Sequence, residues 1–363
     1  MDDPLHTPLT NDASRGAGDD ATSLLPEGAA RLPEGASPLP EGAARLGGGA
    51  AVLAFDVGGT DMKAGLFDAD GHLIEVLRAP TPLADEDTGE RVVAETARLA
   101  QELGRRHPHV QPTAAGLLVP GNVDDDAGIG VFAENLGWHD FPFRERAESA
   151  LGLPVGFGHD VRGAGEAEHR LGAARGFDDV MVVTIGTGIA AAVFIDGRPY
   201  AGKGLAGEIG HDRVAEGPAC ACGGRGCLEA VASAAAIARR YTARSGNPVS
   251  GARDVLDRLH AGDCNAAATW DGALDALALG FSHSVALLAP DAIVIGGGLS
   301  EAGEELLQPL RERLDGILTF HRRPQLIKAS IGANAGLYGA ALAARDALAP
   351  IAFSTTKEGA AWL

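Results

Sequence analysis

The sequence predicts an α/β fold built from two related halves, and three observations carry that expectation. An apolar strand runs into a Gly-Thr turn and returns as a partner strand twice, at AVLAFDVGGTDMKAGLF and again at DVMVVTIGTGIAAAVFI. Segments of strand character alternate with segments of helical period, the pattern of sheets covered by helices. A third strand, AIVIGGGLS, ends in a glycine turn of its own. Two such halves imply a cleft between them.

The elements follow in order. AVLAFDVG is a buried strand, and DMKAGLFDADGHLIEVLRA alternates as a hairpin with its turn at Asp70-Gly71. A helix over 88–106 places Val92, Thr96, Leu99 and Leu103 on one face. AAGLLVPG is a further buried strand; VFAENLGW and a short helix follow, and LPVGFGHD is a strand running into a helix over 161–171. The second half opens with its own strand pair, turning at Asp196-Gly197. Helices take most of 228–288, where Leu274, Leu277, Ala278, Phe281, Val285 and Leu288 form one face, and a last helix covers 334–348. The expected division is a domain over 49–170, a second over 171–348, and a short tail over 349–363.

The chain has 363 residues, enough to bury two cores, and is 45% hydrophobic with 51 glycines. Its formal charge of −19 excludes a general surface for nucleic acid or anionic membrane. Residues 1–48 form a separate low-complexity segment in which LPEGAAR, LPEGASP and LPEGAAR recur. Pro and Gly in each copy and a single leucine per seven residues rule out a coiled-coil seam, so the segment is expected to be disordered. It carries −5 of the charge. Four cysteines do not make a disulfide scaffold. No signal sequence and no apolar run of about 18 residues is legible, so a cytoplasmic protein with reduced thiols is expected.

Three glycine turns bring backbone N–H groups toward a common ligand. In Asp56-Val57-Gly58-Gly59-Thr60 the absence of Cβ atoms lets the backbone close on an anion. Asp56 is placed to hold Mg²⁺ through water and Thr60 to donate to phosphate, although a tight hairpin turn explains the motif nearly as well. Gly186-Thr187-Gly188 repeats the arrangement, and Gly296-Gly297-Gly298 suits a flat group such as adenosine. Asp160, at a strand end in GFGHDVRG, reads equally as a catalytic carboxylate or as the N-cap of the following helix.

His211, Cys220, Cys222 and Cys227 have the spacing H-x8-C-x-C-x4-C. Three thiolates and one imidazole favour tetrahedral Zn²⁺, and four protein ligands leave no open position, so the metal is expected to be structural. Cys264 lies apart and reads as a small buried hydrophobe.

Taken in order, DVGGTDMK, TIGTGIA, AGEIGH, CACGGRGCLE and IGGGLS resemble the ROK family (repressors, open reading frames, kinases) of the actin-like ATPase superfamily, over residues 50–348. The resemblance implies two actin-like domains with ATP, Mg²⁺ and a sugar between them, and transfer of the γ-phosphoryl group to a hexose or N-acyl hexosamine, with glucose to glucose 6-phosphate foremost. It implies that Asp160 is the base. It implies sugar contacts at Gly121, Asn135, His159, Glu208, His211 and Glu229, the zinc-bound His211 using its other ring nitrogen. The nucleotide contacts it implies are Asp56, Gly58, Gly59, Thr60, Lys63, Gly186, Thr187, Gly188 and Gly296 to Gly298. Gly121 also reads as a plain turn, Glu229 as a first-turn helix acid, and Trp138 as a packing residue. His159 departs from the family, whose glucokinases carry Asn there. Its size and its titration near neutral pH bear on which sugar is taken. Such kinases are commonly dimers or tetramers. Two other readings are a sugar-responsive transcriptional regulator, for which the LPEGA repeats occupy the place of a DNA-binding domain, and a kinase drawing on polyphosphate.

Overall fold

The computed structural model describes residues 46–83, 87–133 and 136–348. The expected low-complexity segment, apart from residues 46–48, and the tail over 349–363 lie outside them. The described chain begins earlier than the sequence suggests: Leu46 is 1% exposed and sits among core residues.

In the first half, β1 (Val52–Val57) pairs antiparallel with β2 (Asp61–Phe67), which pairs with β3 (Leu73–Pro80). On its other side β1 runs parallel to β4 (Ala114–Val119), and β4 to β8 (Val155–His159), in the order β3-β2-β1-β4-β8. Every β4 residue is buried, which is why AAGLLV reads as an unbroken apolar run. Helix α1 (Thr88–Arg106) has the bounds its periodicity predicts and buries Val92, Thr96, Leu99 and Leu103. Between β4 and β8 stands a small antiparallel sheet of β5 (Asn122–Asp124), β6 (Ile129–Ala133) and β7 (Trp138–Phe141), which the sequence reading did not separate, followed by α2 (Phe143–Leu151). Trp138 is buried and meets Phe143 edge to face. Helix α3 (Asp160–Leu171) begins directly after β8.

The second half repeats the plan. Strands β9 (Val180–Ile185), β10 (Ile189–Ile195), β11 (Arg198–Pro199), β12 (Ala292–Gly296) and β13 (Gln325–Lys328) form a sheet of order β11-β10-β9-β12-β13. Its pairings are antiparallel on the β10 side of β9 and parallel on the β12 side, as around β1. Helices α4 (Leu228–Ala232), α5 (Ala234–Ser245), α6 (Ala252–His260) and α7 (Cys264–Leu288) fill the expected region. Helix α8 (Glu304–Ile317) and β13 were not anticipated from sequence. Cys264 is exposed, not buried: it is the first residue of α7, beside the cap Asp263.

Helix α9 (Ala335–Asp346), which the sequence division groups with the second half, packs on the first sheet. Glycines make the approach possible. A Cβ at Gly116 would lie 1.8 Å from the Ala340 carbonyl oxygen, and one at Gly339 would lie 2.1 Å from that of Gly163 in α3. On its other side α3 meets β10, with a Cβ at Gly165 falling 2.2 Å from that of Ala192. The buried Glu168 of α3 accepts hydrogen bonds from the N–H groups of Ala173, Ser330 and Ile331, at 2.8, 3.1 and 2.7 Å. These bonds compensate its desolvation and tie α3 to the segment entering α9. Among the described residues no helix is long and apolar enough to cross a membrane.

Candidate active site

Asp56, His159, Asp160 and the glycine turns lie at the carboxyl ends of the parallel strands, where open α/β sheets bind ligands. Asp56 stands near the end of β1, Gly121 follows β4, His159 and Asp160 lie at the end of β8, and the other two glycine turns follow β9 and β12.

The β1–β2 register sets Asp56 opposite Lys63. The Lys63 ammonium lies 3.2 Å from Asp56 Oδ2 and donates to the Ala333 carbonyl at 3.0 Å. Burial raises the Asp56 pKa above the usual carboxylate range; Lys63 opposes this, and the nearby charge of Asp160 adds to it. Helix α9 presses on the same group, since a Cβ at Gly336 would meet the Asp56 carboxylate at 2.4 Å. The turn itself is held from outside: the Thr81 hydroxyl donates to the Gly58 carbonyl at 2.7 Å and the Thr81 N–H to the Thr60 carbonyl at 2.9 Å. Gly59 and Thr60 are left exposed at its tip.

Asp160 is the first residue of α3 and not its cap. The cap is His159, in extended conformation, with Nδ1 facing the Arg162 N–H. The Asp160 carboxylate accepts from the Val161 N–H at 2.7 Å and is 23% exposed. Burial pushes its pKa up to about 6, against the lowering influence of the Val161 N–H, Arg162 and Lys63. His159 is 7% exposed, and burial, aided by the Arg162 charge, pushes its pKa down to about 4. The expected titration near neutral pH is therefore absent: His159 is neutral there. His159 Nδ1 stands between two groups, the Arg162 N–H at 3.4 Å and Asp160 Oδ1 at 3.3 Å, so the neutral ring can either accept from the first or donate to the second.

Glu208 is close enough for its charge to act on His159, and its carboxylate lies 3.8 Å from His211 Nε2. Glu229 Oε2 accepts from the Ile189 N–H at 2.9 Å. The first-turn acid of α4 thus braces the second glycine turn, and Gly188 is small because this carboxylate lies against it. Gly297 has φ +77°, and a Cβ there would lie 2.5 Å from the Ile185 carbonyl oxygen, whereas Gly298 faces open space. Gly121 has φ +89° and is pressed on β6, so its turn alone requires glycine. Asn135 lies outside the described residues.

The four ligand atoms of His211, Cys220, Cys222 and Cys227 lie within 4.8 Å of one another. Cys222 and Cys227 sulfurs are 3.6 Å apart, as are Cys220 Sγ and His211 Nδ1. Tetrahedral zinc–sulfur bonds of about 2.3 Å would separate the sulfurs by about 3.8 Å, close to the Cys222–Cys227 spacing, so the donor set fits Zn²⁺. Burial and the neighbouring thiols push the Cys227 thiol up to about 12, a penalty that a cation would reverse. With Nδ1 toward the cluster, Nε2 of His211 is left facing Glu208.

One polar contact had no counterpart in the sequence reading. The Arg162 side chain, 11% exposed, donates through Nη2 to both oxygens of Asp125 at 3.0 and 2.9 Å. Its only sequence signal is a lone Arg two residues after Asp160.

Paired acids, a lysine and backbone turns at the strand ends of a duplicated sheet define an actin-like ATPase fold. The model of the ROK family matches residues 52–347, and the chain belongs to that family. The crystal structure of a ROK hexokinase from Thermus thermophilus is 37% identical at a TM-score of 0.69, with 81% of this chain and 97% of that one covered. A ROK glucokinase from Streptomyces griseus, in complex with glucose and AMPPNP, is 30% identical at 0.70, covering 82% and 99%. A glucokinase from Thermotoga maritima is 33% identical over 310 residues, 80% of this chain and 96% of that protein.

Proposed function

We propose that the chain is an ATP-dependent hexose kinase with glucose as its leading acceptor. The observation that carries this reading is Asp160: a desolvated carboxylate with a pKa of about 6 at the carboxyl end of β8, within the field of Lys63. A base poised near the working pH suits proton abstraction from a sugar hydroxyl. The hydroxyl gives its proton to Asp160 as its oxygen forms a bond to the γ-phosphorus, and the β,γ bridging oxygen leaves with ADP. Lys63 and the exposed tips of the glycine turns supply positive field to the phosphates, which carry most of the charge in phosphoryl transfer.

Asp56 and Asp160 fit a divalent cation: both are largely withdrawn from solvent, and the charge of Asp160 disfavours ionisation of Asp56. Mg²⁺ bound with ATP would neutralise phosphate oxygens there. The cysteine cluster would hold Zn²⁺ structurally, keeping His211 in the tautomer that leaves Nε2–H for the acceptor. His159, whose neutral ring can donate or accept, and Glu208, an acceptor, would meet a vicinal diol, with Glu229 and Asn135 completing the assigned set.

Glucose is favoured by the likeness to glucokinases, one of them holding glucose and an ATP analogue. A coupled ADP-release assay over hexoses and N-acyl hexosamines, with parallel product assays using polyphosphate as donor, tests the reading. Turnover of glucose with ATP is expected; turnover of an N-acyl hexosamine in preference to glucose, or with polyphosphate alone, would refute the assignment of acceptor or donor.

A further inference from the structure

Arg162 joins three segments that are distant in sequence. Its backbone belongs to the first turn of α3, whose start carries His159 and Asp160. Nη2 binds both oxygens of Asp125, in the turn after β5, and Nη1 reaches the Gly204 carbonyl of the second half at 3.5 Å. Asp125 is fixed in turn, because the Arg144 guanidinium binds its carbonyl oxygen and donates to that of Asp126 at 2.9 Å.

The Gly204 segment is strained. Gly202, Lys203 and Gly204 have successive φ of +53°, +57° and +89°, a conformation costly for Lys203 and unusual as a run. Such strain persists where surroundings over-determine it, and it gathers at ligand clamps. The segment packs against β5, since a Cβ at Gly204 would lie 2.3 Å from Asn122 Oδ1. Four residues further on is Glu208.

Stability alone does not explain the pair: the Asp125 side chain is 36% exposed, and an ion pair that open to water contributes little. The hydrogen bonding is also incomplete: among the described residues nothing accepts from buried Arg162 Nε, and nothing donates to buried Asn122 Oδ1.

We propose that Arg162 is a positioning residue for the transfer. It locks the helix presenting His159 and Asp160 to the Asp125 turn of one half and the strained Gly204 loop of the other, and so sets affinity for the acceptor sugar. This rests on the kinase reading above. The role acts on the acceptor side, where Glu208 and His159 lie, and leaves the nucleotide turns untouched.

The test uses the full chain with Arg162→Met, Asp125→Asn and the double variant, measuring hexose KM, ATP KM and kcat separately. Each single variant should raise the hexose KM at least about tenfold and leave ATP KM within about twofold, because a small misplacement of acceptor groups is costly to productive binding. The double variant should be no worse than the worse single one, as for partners in one interaction. Arg162→Lys should recover part of the loss. If Arg162→Met fails to fold, Asp125→Asn, whose side chain is 36% exposed, carries the test by itself. A wild-type hexose KM in the variants, equal rises in both KM values, or additive losses would overturn the proposal while wild-type activity upheld the kinase reading. Wild-type protein inert toward every sugar and donor would overturn both.

Discussion

Replacing Asp160 by Asn should abolish turnover and yet make the protein more stable at alkaline pH. Asn keeps the shape and can still accept from the Val161 N–H, but it cannot take a proton. Loss of the base should lower kcat by at least about 10²-fold. The stability change follows from linkage. The carboxyl has a pKa of 3.8 in the unfolded chain and about 6 in the folded one. Below 3.8 both states are protonated and ionisation costs the fold nothing. Between the two values the unfolded chain ionises first, so stability falls as pH rises. Above about 6 the penalty is complete, and at about 1.4 kcal/mol per tenfold change in proton affinity it reaches at most about 3 kcal/mol. For a chain of 363 residues that is a rise in Tm of up to about 4 °C. Thermal melts of wild type and Asp160→Asn should therefore nearly coincide at about pH 3 and diverge at about pH 8, with the variant higher. In the kinase assay, wild-type kcat/KM, which reports the free enzyme, should rise with pH along a limb centred near 6. A variant that is no more stable at pH 8 would refute the desolvated carboxylate, and a variant with near wild-type kcat would refute its role as base.

Three further outcomes are expected. The His159 imidazole, followed by NMR, should stay neutral down to about pH 4. Its contribution to stability is complete above 6.5 and is lost as pH falls toward 4, because the unfolded chain takes the proton first; His159→Asn should flatten that acid loss and leave stability at pH 7.5 little changed. Metal analysis should find about one zinc per chain, and Cys227→Ser or chelation should lower Tm and weaken hexose binding at least about tenfold; metal-free protein with full hexose affinity would remove zinc from the account. Gly297→Ala should cost at least about 1–2 kcal/mol for its left-handed backbone, plus the clash with Ile185, and should raise ATP KM more than hexose KM; an unchanged ATP KM would separate this turn from the nucleotide.

Local pattern carried much of the fold. Val92, Thr96, Leu99 and Leu103 fix α1 because nothing interrupts their period, and β1, β4, β9 and β12 are apolar runs closed by glycine turns. The small sheet of β5 to β7 escaped because its strands are three to five residues long and joined by positive-φ turns at Gly128 and Gly137. Strand β13 escaped for the same shortness. The partner of α9 could not be read at all, since periodicity shows which face is apolar and says nothing of what covers it. At the site, residue types and spacing brought out the Cys₃His set, whereas Asp160 read equally as a helix cap until the family resemblance singled it out. The neutrality of His159 and the tie at Arg162 depend on burial and on contacts 37 and 42 residues away, which no local pattern carries.

The return of α9 to the first sheet has a consequence for biosynthesis. Strands β1, β4 and β8 leave the ribosome early, but the face that α9 covers stays open until residues 335–346 have been made. Asp56, which α9 presses at Gly336, has its final surroundings only then. The first half cannot finish folding ahead of the second, so nascent chains of intermediate length expose an apolar sheet face and are where chaperone dependence and aggregation should concentrate.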